Sequence, residues 1–335
     1  MTSNQFSIRL HEARQMMGLS MEKLAELTGG IITKQSISRY EKGLMLPKRV
    51  AKLAMAKALN ISDSYFDGTN ISIDVPMLRT TSNGKLSEDE LQALEAKLSF
   101  WAEQYLAKEK EAGFPTQFNN PIEGTKISTL EDAIHAADLL REKWHCGDGP
   151  IASILRLLER KGIMILAATL PDYVFGMSTW ADKKHPLMIL DFNPEKSSVE
   201  KLRFTAVHEL AHFLLLFPED SPLKLEKRCD LFASFFLLPK LALIEELGSR
   251  KRELITLEEM IDIKELYGAS LAASIIAARD YGIITTEYKR AWYAEHIEPN
   301  PREIGNGHYA FPETLGREKR INSIIRFLFV ILAMI

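Results

Sequence analysis

Apolar residues recur every three or four positions over most of the chain, which is the spacing of helices with one buried face. The pattern predicts several short helices between residues 6 and 66. Longer stripes predict helices near 88–110, 129–145, 151–161, 197–218, 223–238, 256–266 and 269–281. Two stretches rich in β-favouring residues, GIMILAAT from Gly162 and PLMILDF from Pro186, predict strands. We therefore expect a mainly α protein with a small β-sheet, in the α+β class.

A polar stretch divides this pattern. Residues 67–86, DGTNISIDVPMLRTTSNGKL, are rich in Gly, Ser, Thr and Asn, show little periodicity and are predicted to be a linker. A chain of 335 residues is long enough for two or three domains. We predict an all-α domain at 1–68, a linker and connecting helix at 69–128, a mixed domain at 129–295 and a C-terminal tail at 296–335.

The end of the chain is strongly apolar. The segment INSIIRFLFVILAMI starts at Ile321 and is shorter than the roughly 20 apolar residues that span a bilayer as a helix. It is compatible with a packed helix, a membrane-surface anchor or a non-native tail. We favour a packed or non-native tail over an anchor, and we predict no membrane partner.

The cysteine content predicts a cellular compartment, and the charge distribution predicts a type of partner. Only Cys146 and Cys229 are present, far apart, and the N-terminus has no secretory signal, so we expect a reducing cytoplasm. Residues 1–60 hold ten Lys and Arg against four Glu, a net +6, which leaves −9 for the remainder of a chain of net charge −3. A basic segment on an acidic body predicts a polyanion partner for that segment, unless the surface charge is a chance distribution.

The stretch RFTAVHELAHFLLLF, from Arg203, places two histidines four residues apart. On a helix, His208 and His212 would share one face, about 5–6 Å apart at Cβ, and could bind one metal ion. Glu209 would lie about 100° round the helix, where its carboxylate can act on a water molecule at the metal. This is the pattern of zinc peptidases, although a helix with surface histidines is the alternative.

A third ligand is expected on the next helix, EKRCDLFASFFLLP from Glu226. Glu226 can complete a His₂Glu set with one open position for water. Asp230, four residues later on the same face, can orient a histidine through its second ring nitrogen. The alternative for both carboxylates is a solvated stripe. Cys229 is a competing ligand because a thiolate suits zinc, but we interpret it as a packing residue near the apolar face.

These residues resemble the ImmA/IrrE family of metallopeptidases. The similarity rests on HELAHFLL at 208–215, on the spacing from Glu226 to Ala233 and on LLP at 237–239, and covers roughly residues 130–295. Upstream, DGPIASILRLLERKGIMIL and FGMS are also similar. Asp230 stands where Asn is commoner in the family, and Cys229 where a small residue is usual.

The resemblance implies a zincin-like metallopeptidase domain with one zinc ion per chain. By carry-over, His208, His212 and Glu226 would be the zinc ligands and Glu209 the catalytic base. Zinc in such a site lowers the pKa of water toward about 7, and the glutamate moves the proton from that water to the leaving amine. A second group that stabilises the developing oxyanion is also expected. Tyr173, His185 and His308 are the candidates, and the sequence does not favour one of them.

In the basic segment, TKQSISRYEKGLMLP at 33–47 resembles the recognition helix of phage-repressor-like helix-turn-helix domains, the Xre family. SMEKLAELTGG at 20–30 resembles the first helix of that motif. The resemblance implies that Leu24 and Ile37 are core residues and that Glu41 has a structural partner within the domain. The residues expected to face double-stranded DNA are Lys34, Gln35, Ser36, Ser38, Arg39 and Lys42. The alternative is a solvated face of a protein-binding domain.

Together, the two resemblances imply a cytoplasmic DNA-binding transcription regulator fused to a zinc endopeptidase. The protein substrate would be a repressor-type regulator. A homodimer is expected, because helix-turn-helix domains usually read paired half-sites. The alternative is a helix-turn-helix regulator whose zinc site is structural or senses a ligand, without peptidase activity.

Overall fold

The computed structural model describes residues 3–61, 63–68, 71–73, 88–111, 113, 117–170, 174–219 and 222–316. These residues are mainly helical with one three-stranded sheet, which confirms the predicted α+β class. They form two compact units: one comprises the residues up to 113 together with 179–187, the other 117–178 with 188–316. The apolar segment after residue 316 lies outside the described residues. In the described part of the chain, no helix is both long and apolar enough to cross a membrane.

Short helices separated by tight turns build the N-terminal unit, as their spacing predicted. The elements are α1 (Ser3–Met16), α2 (Met21–Leu27), α3 (Lys34–Glu41), α4 (Arg49–Ala58), a 3₁₀ helix (Asp63–Asp67) and α5 (Glu88–Glu111). Ser20 caps α2 by accepting a hydrogen bond from the Lys23 amide. Gly29 and Gly30 both adopt positive φ in the turn before α3, a conformation that glycine adopts without strain.

The core of this unit lies between α1 and the helices that follow it. Leu24 and Ile37 are fully buried, as predicted. They pack with a set of apolar and aromatic side chains from every element up to the 3₁₀ helix: Phe6, Leu10, Ala13, Ile32, Tyr40, Met55, Ala56, Leu59, Tyr65 and Phe66.

Helix α5 belongs to this unit and packs against α1. Its predicted apolar stripe is buried at Leu94, Leu98, Trp101 and Tyr105. The two helices are also joined by charge, since the buried Arg9 guanidinium donates to Glu103 and to the Tyr65 carbonyl at 2.9 Å.

A second buried cation joins α1 to the end of α3. Arg14 donates to both carboxylate oxygens of Glu41, at 2.6 and 2.9 Å, and the His11 ring lies 3.0 Å from the same carboxylate. Glu41 therefore has the structural partner within the domain that the resemblance implied. Arg9 and Arg14 were both counted in the basic charge of this segment, but each is paired with a carboxylate, which largely cancels its contribution to the surface potential.

The second unit contains helices α6 (Leu130–Trp144), α7 (Ile154–Arg160), α8 (Val199–Leu214), α9 (Pro222–Leu237), α10 (Lys240–Leu247), α11 (Leu257–Tyr267), α12 (Leu271–Asp280) and α13 (Thr286–His296). Helix α7 begins three residues later than predicted, because Ser153 caps it. Helices α10 and α13 were not predicted. Pro239, the last residue of the LLP stretch, is the N-cap residue of α10.

The sheet consists of β1 (Met164–Ala168), β2 (Gly176–Ala181) and β3 (His185–Asp191), in the order β1-β3-β2. The first and third were predicted as strands. Between β2 and β3, Asp182 and Lys183 both have φ above 50°, the conformation of a tight hairpin turn.

Helix α9 packs against both α6 and α8, and this contact sets the geometry of the predicted metal residues. Phe232 and Phe236 of α9 are fully buried, and the Trp144 ring of α6 meets Phe236 edge-on at 6.1 Å. The side of α9 that carries Glu226 is thereby held beside the histidines of α8.

One guanidinium of α8 joins several distant segments. The fully buried Arg203 pairs with Glu313 and donates to the carbonyls of Ile151, Tyr267 and Gly268 at 2.8–3.1 Å. Residues 296–316, which were predicted to belong to a C-terminal tail, group with the second unit in this way.

Candidate functional site

Helix α8 is buried on almost every side and presents both histidines at its less covered face. Ser198 caps its first turn, accepting from the Lys201 amide. The side chains of His208 and His212 are 14% and 17% exposed, while Glu209 between them is buried. The ring centroids of the two histidines lie 5.4 Å apart, consistent with their i, i+4 spacing.

The structure brings Glu226 to these histidines. Its Oε2 atom lies 2.9 Å from Nε2 of His208 and 3.9 Å from Nε2 of His212. Burial opposes ionisation of Glu226, but the larger effect of the hydrogen bond from His208 lowers the pKa of the carboxyl. Three atoms that suit zinc therefore converge from two helices.

Asp230 lies on the other side of the His208 ring. Its Oδ1 atom is 2.8 Å from Nδ1 of His208, the position from which a carboxylate fixes the orientation of a metal-binding imidazole. Burial disfavours the charged ring, but hydrogen bonds to Asp230 and Glu226 outweigh it and raise the pKa of His208 to about 9.

His212 shows whether this group of residues fits a metal ion. Its Nε2 atom is buried and has no hydrogen-bond partner among the described residues. Burial lowers the pKa of the ring, which favours the neutral imidazole that a metal requires. The 3.9 Å between this nitrogen and Oε2 of Glu226 is too long for a hydrogen bond. It is a suitable separation for two atoms that bind the same cation. The residues present fit zinc.

The Glu209 carboxylate is hydrogen-bonded to β2. The Ser178 hydroxyl donates to its Oε2 at 2.6 Å, and the side chain is only 4% exposed. Burial raises the pKa of this carboxyl, although the hydrogen bond from Ser178 opposes the shift. A raised pKa brings a glutamate closer to the range in which it can both accept and return a proton near neutrality.

The close approach of β2 to α8 depends on the glycine at the start of β2. A Cβ at Gly176 would lie 2.6 Å from Cγ2 of Thr205 and 3.4 Å from Cγ of Glu209. The strand can therefore approach α8 closely only without a side chain there. The contacts of Ser178 and Gly176 were not predicted, although both residues lie within the FGMS stretch that carried part of the resemblance.

Cys229 is closer to the metal group than its interpretation as a packing residue suggested. The thiol is fully buried, and one ring nitrogen from each histidine and the Cys229 sulfur all lie within 4.8 Å of one another. Burial, together with Glu226 and other nearby carboxylates, raises the pKa of the thiol. Cys229 is thus a core residue whose sulfur is also close enough to act as a fourth ligand atom.

The structure places two of the three residues predicted as candidates for stabilising the oxyanion. Tyr173 lies outside the described residues. His185 is partly exposed at the start of β3, where burial and then Lys184 lower the pKa of its ring. His308 is exposed in the segment that follows α13.

The predicted DNA-reading side chains lie on the exposed side of α3. Thr33 caps this helix by accepting from the Ser36 amide, while Ile37 and Tyr40 bury the opposite face. The side chains of Lys34, Gln35, Arg39 and Lys42 are exposed, and those of Ser36 and Ser38 are partly exposed.

Two of these residues already have partners. Lys34 forms an ion pair with Glu22 of α2, with both side chains more than half exposed. The Ser36 hydroxyl lies 3.1 Å from that of the capping Thr33. An exposed ion pair contributes little stability, so a phosphate can replace Glu22 as the partner of the lysine at small cost.

Comparison with known protein families gives a match at this end of the chain. Residues 10–66 match the helix-turn-helix family, a range that includes α2, α3 and the core around them. A search of curated proteins finds no match to the chain. The N-terminal part of this chain is therefore a helix-turn-helix domain, and this supports a DNA-binding transcription regulator.

Proposed function

We propose that the chain is a transcription regulator that binds double-stranded DNA through residues 1–68 and carries a zinc-dependent endopeptidase in its second unit. The observation that supports the peptidase is the placement of a buried, serine-bound glutamate between two histidines whose rings converge with Glu226. A purely structural metal site has no need of that glutamate.

In this proposal His208, His212 and Glu226 hold one zinc ion. When bound, zinc supplies a Lewis acid that polarises a peptide carbonyl and makes water more acidic. Asp230 keeps the His208 ring oriented through Nδ1. Side chains fixed by such hydrogen bonds hold a ligand set in place before the metal arrives.

Glu209 performs the proton transfers. Its carboxylate accepts a proton from the attacking water and delivers it to the leaving amine. Ser178 holds one carboxylate oxygen at 2.6 Å and so leaves the other for water. The resemblance to the ImmA/IrrE family makes a repressor-type regulatory protein the proposed substrate, cleaved in the cytoplasm.

Glu209→Gln is the variant that tests this proposal. It keeps the size of the side chain but removes the base, and it leaves the three proposed ligands intact. We expect the purified variant to retain one zinc ion per chain by native mass spectrometry. In cells, we expect new protein termini to form with the parent chain and not with the variant.

Glu219→Gln is a matched control because Glu219 is an exposed glutamate of the same unit. It should keep both the zinc and the cleavage. Identical termini with the parent chain and with Glu209→Gln, under inducing and non-inducing conditions alike, would rule out the peptidase.

A second candidate function is favoured by one observation, the closeness of Cys229 to both histidines. Four protein ligands close a zinc site and make it structural or sensory, whereas a catalytic site keeps one position open. In that case the chain would be a helix-turn-helix regulator whose metal stabilises or switches the second unit.

Cys229→Ala distinguishes the two candidates. If the thiolate is a ligand, zinc affinity should fall by at least about tenfold and cadmium bound to the parent should show a sulfur charge-transfer band. If Cys229 only packs, zinc affinity and cleavage should both survive, with a modest loss of thermal stability from the lost side chain.

A further inference from the structure

A cavity of about 930 Å³ lies in the second unit between the end of α6, helix α7 and the segment that follows α13. Its volume is at the upper end of the range for small-molecule sites. One wall is formed by residues 144–161 and the other by residues 311–314. Two separate segments facing each other make a cleft that a small molecule can enter, rather than a flat surface.

All the charged side chains that line this cleft are positive. Arg156, Arg160 and Lys161 line it, and no carboxylate does. Within the described residues, none of the three forms an ion pair; Arg156 donates to the Thr314 hydroxyl at 3.1 Å and Lys161 lies over the Trp144 ring at 5.4 Å. Cations grouped without counter-charges attract an anion from solution.

Support for the helix explains the position of Arg160 on α7 but not that of Arg156. A cation near the C-terminal end of a helix is favourable, which accounts for Arg160 and Lys161. Arg156 lies in the first turn, where the helix dipole disfavours a positive charge. The two arginines are four residues apart, so their guanidinium groups can address the same phosphate or neighbouring ones.

Several of the remaining lining residues are apolar or aromatic. Phe311 exposes 53% of its surface and lines the cleft together with Pro150, Leu157 and Pro312. An exposed aromatic side chain beside a group of cations can stack on a planar ring while the cations bind its phosphate.

We propose that this cleft binds a mononucleotide or a similar organic phosphate that carries a planar ring. The phosphate would lie against Arg156, Arg160 and Lys161, and the ring against Phe311. The inference does not depend on the zinc site or on peptidase activity, since none of these residues belongs to the metal group.

The test is calorimetric titration of the full chain with AMP, ATP, adenosine, ribose 5-phosphate and inorganic phosphate at constant ionic strength. We expect AMP or ATP to bind at least about tenfold more tightly than adenosine or inorganic phosphate, because only they offer both groups. The double variant Arg160→Gln/Lys161→Gln should weaken that binding at least about tenfold.

The chain offers a matched control, since Arg250 and Lys251 form another adjacent and partly or fully exposed basic pair in the same unit. Arg250→Gln/Lys251→Gln should leave binding unchanged. Phe311→Ala should reduce the advantage of AMP over ribose 5-phosphate, and Phe311→Tyr should keep it. All variants should retain the zinc content of the parent.

Three results would overturn the proposal. The first is no binding of AMP or ATP at about 1 mM, near the weak limit of specific ligands. The second is binding that the control pair weakens as much as the cleft pair. The third is binding of a single-stranded oligonucleotide, lost in the cleft variant, without binding of mononucleotides, which would make the cleft part of a nucleic-acid surface instead.

Discussion

Glu41 is held as a carboxylate by two side chains of α1. Burial opposes its ionisation, but hydrogen bonds from Arg14 and His11 outweigh burial and lower the pKa of this carboxyl below its ordinary value of 4.5. A group with a lower pKa in the folded state contributes stability that is present above its unfolded pKa and is lost as the pH falls through the folded pKa.

The helix-turn-helix domain should therefore lose stability on acidification partly through Glu41. Glu41→Gln should cost about 1–3 kcal/mol at neutral pH, because it leaves the buried Arg14 without its charged partner. The difference between parent and variant should shrink below about pH 4. The difference in the free energy of unfolding would be measured by urea unfolding at each pH, with hydrogen exchange of the α1 and α3 amides as the readout.

Glu26→Gln is the control for this prediction. Glu26 also pairs with a basic residue, Lys23, but both side chains are more than half exposed. Its replacement should change little at either pH. A Glu41 effect that is the same at neutral and acidic pH would contradict the charge-based explanation.

At the scale of single elements, β2 can approach α8 only through Gly176. Gly176→Ala would place a methyl group 2.6 Å from Cγ2 of Thr205, a buried residue of α8, so that the strand or the helix must shift. We expect a loss of about 1–3 kcal/mol in the free energy of unfolding, from overpacking. Gly149→Ala is the matched control, since nothing lies within 4 Å of a Cβ there.

Thermal unfolding of both glycine variants would check this prediction. Zinc content should be measured on the same samples and should remain, because the three atoms nearest to the added methyl group belong to Thr205, Leu190 and Glu209 and not to a proposed ligand. If Gly176→Ala were as stable as Gly149→Ala, the close contact between β2 and α8 would not exist in solution.

The exposed side of α3 gives a second prediction at this scale. Arg39→Ala should weaken binding to the cognate DNA by about 1–3 kcal/mol and relax specificity at one base pair. Lys42→Ala should weaken binding to all sequences alike and reduce the salt dependence by about one counterion. Fluorescence anisotropy at several salt concentrations would separate the two effects, with Lys57→Ala on α4 as the control. Equal loss from Arg39→Ala and Lys57→Ala would favour a general electrostatic contact over base recognition.

At this scale, the sequence predicted contacts between residues close together in the chain but not contacts between distant ones. The four-residue spacing of His208 and His212, and of Glu226 and Asp230, is local information that a helix converts directly into a shared face. The contact between Ser178 and Glu209 joins residues far apart in sequence, and a lone serine in a strand carries no periodic signal. Helix α10 was missed for a different reason: Pro239 ends one helix and caps the next, and only the ending has a familiar sequence signature.

At the scale of the whole chain, the second unit depends on its last described segment. Arg203 and Glu313 form a fully buried ion pair, 0% and 1% exposed, and the Glu313 carboxylate also accepts from the amides of Ile154 and Leu155. No sequence pattern links these residues, so the predicted domain boundary at residue 295 carried no information about them. The structure instead groups residues up to 316 with the helices that carry His208, His212 and Glu226.

Glu313→Gln should therefore destabilise the second unit severely. The variant leaves a buried guanidinium without a counter-charge, and the expected loss is about 3–5 kcal/mol. Urea unfolding monitored by circular dichroism would measure it. Glu253→Gln, at an exposed glutamate, should be neutral. A loss below about 1 kcal/mol for Glu313→Gln would mean that water reaches Arg203.

Trp144 gives the molecule an optical signal of its own. The chain has four tryptophans, and this one is 6% exposed, lines the basic cleft and has the Lys161 ammonium 5.4 Å from its ring. A phosphate that draws Lys161 away from the indole would change the local field and shift the emission of that ring. Because the Trp144 ring also lies 6.1 Å from the ring of Phe236 of α9, a rearrangement of the helix that carries Glu226 would alter the same signal. One native fluorophore can thus report on both regions without any label.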